Sequence, residues 1–154
     1  MIDGPRIWQH TGAIFRVLSS PLGHVAIDST GMLMDAEGAR VTATGDTFIV
    51  HMDRQALNDY PMGEYDVTVS IERFTLDREI AWTILGRIRP QIGHVYGYEL
   101  EPVDGGTLVT SSHDWSSIDP VWKDAGIFPV LSEATLRATL GILARTVAKG
   151  PSAL

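Results

Sequence analysis

Between residues 47 and 113 the chain alternates apolar and polar residues in one segment after another, with only short stretches between the segments. Alternation with period two gives each strand one dry and one wet face. Strands joined by such short connections run antiparallel to their neighbours. The clearest is Glu64–Phe74, where Tyr65, Val67, Val69 and Ile71 alternate with Asp66, Thr68, Ser70 and Glu72. Thr47–Asp53 sets Phe48, Val50 and Met52 against Thr47, Ile49 and His51, and Glu79–Leu85 gathers Ile80, Trp82 and Ile84 on one face. Thr75–Arg78 between the last two is short enough for a hairpin. His94–Leu100 places His94, Tyr96, Tyr98 and Leu100 together, Glu101–Gly106 reads as a turn, and Thr107–His113 presents Thr107, Val109, Ser111 and His113. A weaker strand is expected over Met32–Glu37.

Helical signals bracket these strands. Gly12–Ser19 reads as a short helix behind a Thr11 cap, ending before Ser20-Pro21, and Pro21–Ile27 as a second turn of helix. Asp119-Pro120 has the form of a cap and first position of another short helix. Glu133–Lys149 carries the strongest helical pattern, with Ser132 as N-cap and Gly150-Pro151 as stop. Leu136, Leu140, Leu143 and Val147 form one stripe along it, flanked by the small residues Ala134, Ala138 and Gly141. Strands in a run followed by a helix favour an α+β class. A twisted antiparallel sheet of six to seven strands curls, and one helix does not cover the whole concave face. A hollow between sheet and helix is therefore expected.

Composition narrows the function classes. The 154 residues are read as one domain spanning 1–154, large enough to bury roughly two-thirds of the unfolded chain's surface. There is no cysteine, so thiol catalysis, thiolate metal sites and disulfides are excluded. The net charge of −7, without a cluster of lysines or arginines, argues against nucleic acid and anionic membrane surfaces. The N-terminal MIDGPRIWQH lacks the pattern of a signal peptide, and no stretch reaches the ~18 apolar residues of a spanning helix. A soluble, cytoplasmic protein without membrane insertion is expected. No nucleophile elbow, Walker loop or dinucleotide fingerprint is present, and the glycines between Gly31 and Gly45 lack phosphate-loop spacing. No cofactor and no metal is expected.

Several segments, in order, resemble the START-like helix-grip superfamily and, within it, the polyketide cyclase/dehydrase group labelled SRPBCC. Pro21-Leu22-Gly23-His24-Val25-Ala26-Ile27-Asp28-Ser29-Thr30-Gly31 is similar to its segment after the first helix, Gly45-Asp46-Thr47-Phe48 to a strand entry, and Arg78-Glu79-Ile80-Ala81-Trp82 to a strand. Tyr96-Gly97-Tyr98-Glu99-Leu100-Glu101-Pro102 followed by Gly105-Gly106-Thr107-Leu108-Val109-Thr110 resembles the family's most recognisable hairpin, with Asp114 where an acidic residue is common. The likeness runs from Ile7 to Lys149. It departs at the start, where only Arg6–His10 is available for a first strand. The resemblance implies a seven-stranded antiparallel sheet gripping a C-terminal helix, with two small helices closing one end. It also implies a cavity accepting lipids, polyketides, hormones or aromatic compounds. It implies no single reaction, because members include carriers, aromatase/cyclases and regulators.

Polar residues on inward faces are the candidates for chemistry. His94, Tyr96, Tyr98 and His113 form a set able to polarise a ligand carbonyl and move a proton, as a cyclisation or dehydration requires. The competing reading, preferred on the sequence, makes both tyrosines core aromatics. Candidate ligand contacts are Phe48, Val50, Val67, Val69, Trp82, Tyr96, Tyr98, Val109, Leu136 and Leu140. His24 and Asp28 share a helix face, either as an acid–base pair or, preferably, fixing the bend into the sheet. His51 and Asp53 are expected in solvent. Trp115 and Trp122 either line a mouth or pack beneath a loop. Arg87 and Arg89 either rim the opening or sit in a solvated turn. The leading functional expectation is binding of a small hydrophobic ligand (lipid, polyketide or aromatic compound). A polyketide cyclase/dehydratase-type enzyme and a non-catalytic regulatory or interaction module are the alternatives. The partner is the small ligand, and the protein is a monomer or homodimer.

Overall fold

The computed structural model describes residues 2–150, with side chains from Ile7 onward. Seven strands, β1 (Ile2–Ile7), β2 (Leu33–Glu37), β3 (Thr47–Asp53), β4 (Glu64–Thr75), β5 (Glu79–Leu85), β6 (Val95–Val103) and β7 (Gly106–Asp114), form one sheet. The strand order is β1-β7-β6-β5-β4-β3-β2, with every neighbouring pair antiparallel. Helices α1 (Thr11–Leu18) and α2 (Pro21–Ile27) separate β1 from β2, and α3 (Pro120–Ala125) and α4 (Glu133–Lys149) follow β7. The class is α+β, a curled antiparallel sheet with a C-terminal helix and short N-terminal helices.

Local chemistry explains where the boundaries differ from those expected. The α1 cap is His10 and not Thr11: its Nδ1 accepts the Ala13 amide at 3.3 Å, and Thr11 becomes the first helical residue. An imidazole reaches an open helix terminus as a hydroxyl does, which residue type alone does not advertise. Ser20 and Ser132 cap α2 and α4, accepting the amides of Gly23 and Thr135 at 3.2 and 3.1 Å. The first strand is Ile2–Ile7, earlier than Arg6–His10, and its register against β7 shifts between Asp3 and Arg6, across Gly4-Pro5. Proline lacks the N–H that an unbroken ladder needs. The turn expected over Glu101–Gly106 shrinks to Asp104-Gly105, with Val103 opposite Gly106. Gly105 has φ +79°, a left-handed conformation that glycine adopts without steric cost.

One irregularity redirects a side chain. The β4–β5 register shifts between Ile71 and Arg73, so the inward set runs Tyr65, Val67, Val69, Ile71 and then Phe74. An extra residue in one strand reverses the parity beyond it. Phe74 then packs edge-on against Phe15 of α1, ring centroids 5.4 Å apart.

The densest core lies at the α1 end. Ile14, Phe15, Val17 and Leu18 of α1 are fully buried with Leu140, Leu143 and Val147 of α4 and with Ile80 and Val109 of the sheet. Burying each large apolar side chain contributes roughly 1.5–3 kcal/mol. Helix α4 contacts β1, β7, α1 and α2. The helix pair α1–α2 closes at Gly23, where a Cβ would lie 1.9 Å from the Val17 carbonyl oxygen. Gly23→Ala is therefore expected to destabilise by about 1–3 kcal/mol, since the obstacle is backbone. Gly141→Ala, on the open face of α4 with nothing within 4 Å, is expected to stabilise by about 0.5–1 kcal/mol. Urea unfolding of the two variants, with unchanged m-values, checks both signs.

Candidate functional site

Inward faces of β3–β6 form one wall of a pocket of about 300 Å³. Val50, Met52, Tyr65, Val67, Val69, Trp82, Ile84, Tyr96 and Tyr98 supply it. Opposite stand His24 and Ile27 of α2, the turn after it, and Leu136 and Thr139 from the first half of α4. The volume is at the lower end of the range for small-molecule sites, about 300–1,000 Å³. Its open side is marked by exposed Met62, Arg87, Ile88 and Val130.

Hydrogen bonds hold each boundary of this hollow. The Asp28 carboxylate accepts the amides of Thr30, Gly31 and Leu33 and the Thr30 hydroxyl, turning the chain from α2 into β2. Ser29 Oγ donates to the Thr135 carbonyl at 2.9 Å and lies 2.7 Å from Thr139 Oγ1, tying that turn to α4. At the mouth, the Gln91 side chain bonds both the amide and the carbonyl of Gly86, and the Trp122 indole donates to the Pro90 carbonyl.

Several polar groups in the wall, Arg54 among them, are engaged within the protein. His24 Nε2 donates to the Leu18 carbonyl at 2.8 Å, its ring edge-on to Phe48 and Trp82. Burial lowers its pKa to about 4, against a weaker opposing effect of that hydrogen bond. His94 Nδ1 meets His113 Nε2 at 2.9 Å, and burial lowers both of these histidines to about 4. The His113 ring stacks on Tyr96 at 4.1 Å, and Tyr96 in turn stacks near Trp82 at 6.0 Å. Burial raises the pKa of both Tyr96 and Tyr98, so their hydroxyls stay protonated.

The residues singled out from sequence separate into three groups. Val50, Val67, Val69, Trp82, His94, Tyr96, Tyr98 and Leu136 line the pocket. Phe48, Val109 and Leu140 do not: they are buried in the packed core. Leu140 faces the core because one helical turn beyond Leu136 the helix has closed onto its neighbours. His113 is also outside the lining and touches it only through His94 and Tyr96.

His24 and Asp28 both line the pocket but bond to backbone, not to each other, so the acid–base pair does not form. His51 is half-exposed on the outer face, 2.6 Å from Asp66, which raises its pKa. Arg87 is in the lining, whereas Arg89 donates to the Gly86 and Ile88 carbonyls. Trp115 stacks on Phe128, centroids 5.4 Å apart.

Met52, Tyr65 and Ile84 line the pocket without having been singled out, although period two had placed them on the inward face. Ile27, Leu33, Gln91 and Thr139 carried no such signal, because their strand, helix ends and loop approach the sheet only in the folded chain.

Solved structures share this fold along nearly the whole chain. The AHSA1-like protein of Aeromonas hydrophila matches over 97% of this chain and 92% of its own, with TM-score 0.59 and 17% identity. The chain has the helix-grip fold. A Mesorhizobium loti protein matches over 96% and 95%, with TM-score 0.63 and 13% identity. The Aha1 dimer of Colwellia psychrerythraea matches over 91% and 96%, with TM-score 0.51 and 15% identity. No protein-family model and no curated protein matches the sequence. The resemblance to the START-like superfamily thus holds at the level of the helix-grip fold. No helix among the described residues is long and apolar enough to cross a membrane.

The three buried histidines set a pH dependence for this helix-grip domain. Each has a folded pKa near 4 against 6.5 unfolded, so between these values the unfolded chain binds more protons. The stability these three contribute is full above pH 6.5 and falls as the pH drops toward 4. His51, raised in the folded state, acts only above 6.5 and with the opposite sign. The lowered carboxylates Asp46, Asp59 and Asp114 act below 3.8. The urea midpoint is expected to fall steadily between pH 6.5 and 4.5. In His24→Gln, which cannot charge, the slope over that range is expected to be shallower.

Proposed function

We propose that this protein binds a small, largely apolar molecule in the pocket between β3–β6 and the first half of α4. The observation that carries the reading is the hollow itself: about 300 Å³ walled mainly by aliphatic and aromatic side chains, inside a molecule whose other half is close-packed. Protein interiors normally fill such space. The polar groups in the wall are spread around it, so a lipid tail, a polyketide or an aromatic ring system suits the site better than a sugar or a nucleotide.

Turnover is the weaker use of the same pocket. A cyclase or dehydratase needs a group that gains and loses a proton near neutral pH. Burial holds His24, His94 and His113 neutral there and both tyrosines protonated. The side chains present can orient a ligand and donate hydrogen bonds to it, which is what a carrier or sensor needs.

Native mass spectrometry of freshly purified protein is expected to show a co-purifying apolar compound, removable by organic extraction. Leu136→Trp puts an indole into the hollow from a half-buried position on α4. It is expected to weaken binding of an apolar aromatic probe at least about ten-fold, roughly 1.4 kcal/mol, with little change in Tm. Equal affinity in that variant would place the ligand elsewhere.

A further inference from the structure

The His94–His113 contact has a consequence for what the pocket accepts. Two neutral imidazoles bring two N–H groups and two lone pairs. One N–H makes the shared bond of 2.9 Å between His94 Nδ1 and His113 Nε2. The second sits either on His113 Nδ1 or on His94 Nε2. His113 Nδ1 is buried without a hydrogen-bond partner. Its ring is covered by Tyr96, Trp115 and Phe128, which offer aromatic surface. A donor or an acceptor left unpaired there costs about 1–3 kcal/mol, and folded proteins leave a buried N–H orphaned less often than they leave an acceptor underused. A bare lone pair at His113 Nδ1 is the cheaper arrangement. His113 Nε2–H then donates to His94 Nδ1, and His94 carries its proton on Nε2, the ring nitrogen left for the pocket it lines.

The rest of His94 is held as well. Its carbonyl accepts from Thr83 Oγ1 at 2.7 Å, and its ring packs against Tyr96 and Phe128. We infer that His94 Nε2–H is a fixed neutral donor in the pocket wall, that His113 is the positioning residue selecting this tautomer, and that the ligand is an apolar molecule bearing a carbonyl oxygen that accepts from it. A neutral donor suits a carbonyl better than a carboxylate. Stripped of water, a carboxylate would need a counter-charge, and the two guanidinium groups of the lining are placed otherwise: Arg54 is paired with Asp59 and Arg87 is exposed at the mouth, while the pocket also holds the carboxylate of Asp28. This inference rests on the binding reading above.

Two measurements separate its failure from failure of that reading. Long-range proton–nitrogen NMR of uniformly 15N-labelled protein at pH 7.5 is expected to show His94 protonated at Nε2 and bare at Nδ1. His113→Gln, whose amide can still donate, is expected to keep that pattern, and His113→Leu to lose it. A proton on His94 Nδ1 in the wild type would overturn the inference whatever the protein binds. The second measurement compares 2-acetylnaphthalene with 2-ethylnaphthalene by titration. The ketone is expected to bind about three- to ten-fold more tightly than the ethyl compound, and His94→Phe is expected to abolish that preference. Equal binding of the two by wild-type protein would overturn the carbonyl requirement while leaving the binding reading intact. Binding of neither would remove both.

Discussion

Leu140, Leu143 and Val147 seat the second half of α4 in the same core as Ile14, Phe15, Val17 and Leu18. That anchorage decides what happens to the first half. Helix α4 meets the sheet at β1 and β7, and its first half faces the pocket instead. Leu136, one turn earlier on the same stripe, is only half-buried and looks into the hollow. The pocket is thus a by-product of packing a rigid rod against a curved surface at one end. The turn at Asp28 and the Ser29–Thr139 contact then keep α2 and α4 at a set distance from the sheet.

The polar groups of the pocket follow from this division. On the filled side the inward residues are mostly apolar, and Thr107 among them donates its hydroxyl to the Gln9 carbonyl. On the open side Trp82, Tyr96 and Tyr98 of β5 and β6, with His94 just before β6, add aromatic rings to the aliphatic wall, and His113 backs them from β7. Rings stacked in this way are stiff, and stiffness holds one imidazole against another at a single distance. Burial also keeps these histidines uncharged near neutral pH. A wall of neutral donors and aromatic faces can select ligands by shape and by one or two hydrogen bonds, without the desolvation cost of a buried charge.

Much of the sheet was legible because strand alternation is a local signal. The period-two faces of Thr47–Asp53, Glu64–Phe74 and Glu79–Leu85 point as the residues indicate. The exceptions have local physical causes. The β4 bulge carries Phe74 to the inner face where unbroken alternation would put it outside. Asp104-Gly105 closes in two residues a turn that composition spreads over six. His10 takes the cap that a hydroxyl at Thr11 would ordinarily take.

The α+β class, the antiparallel order, the long C-terminal helix with its cap and stop, and the dry faces of most strands are written in the order of the residues. These depend on contacts between residues close in the chain, where periodicity and side-chain chemistry suffice. Which members of the dry faces border a hollow and which are packed solid emerges in the folded chain, dividing Val69 from Phe48, Leu136 from Leu140 and His94 from His113. The difference within each pair is how closely the helices and loops approach the sheet over it. That distance is set by helix contacts, turn hydrogen bonds and sheet twist summed over the whole chain, and no stretch of sequence encodes it alone.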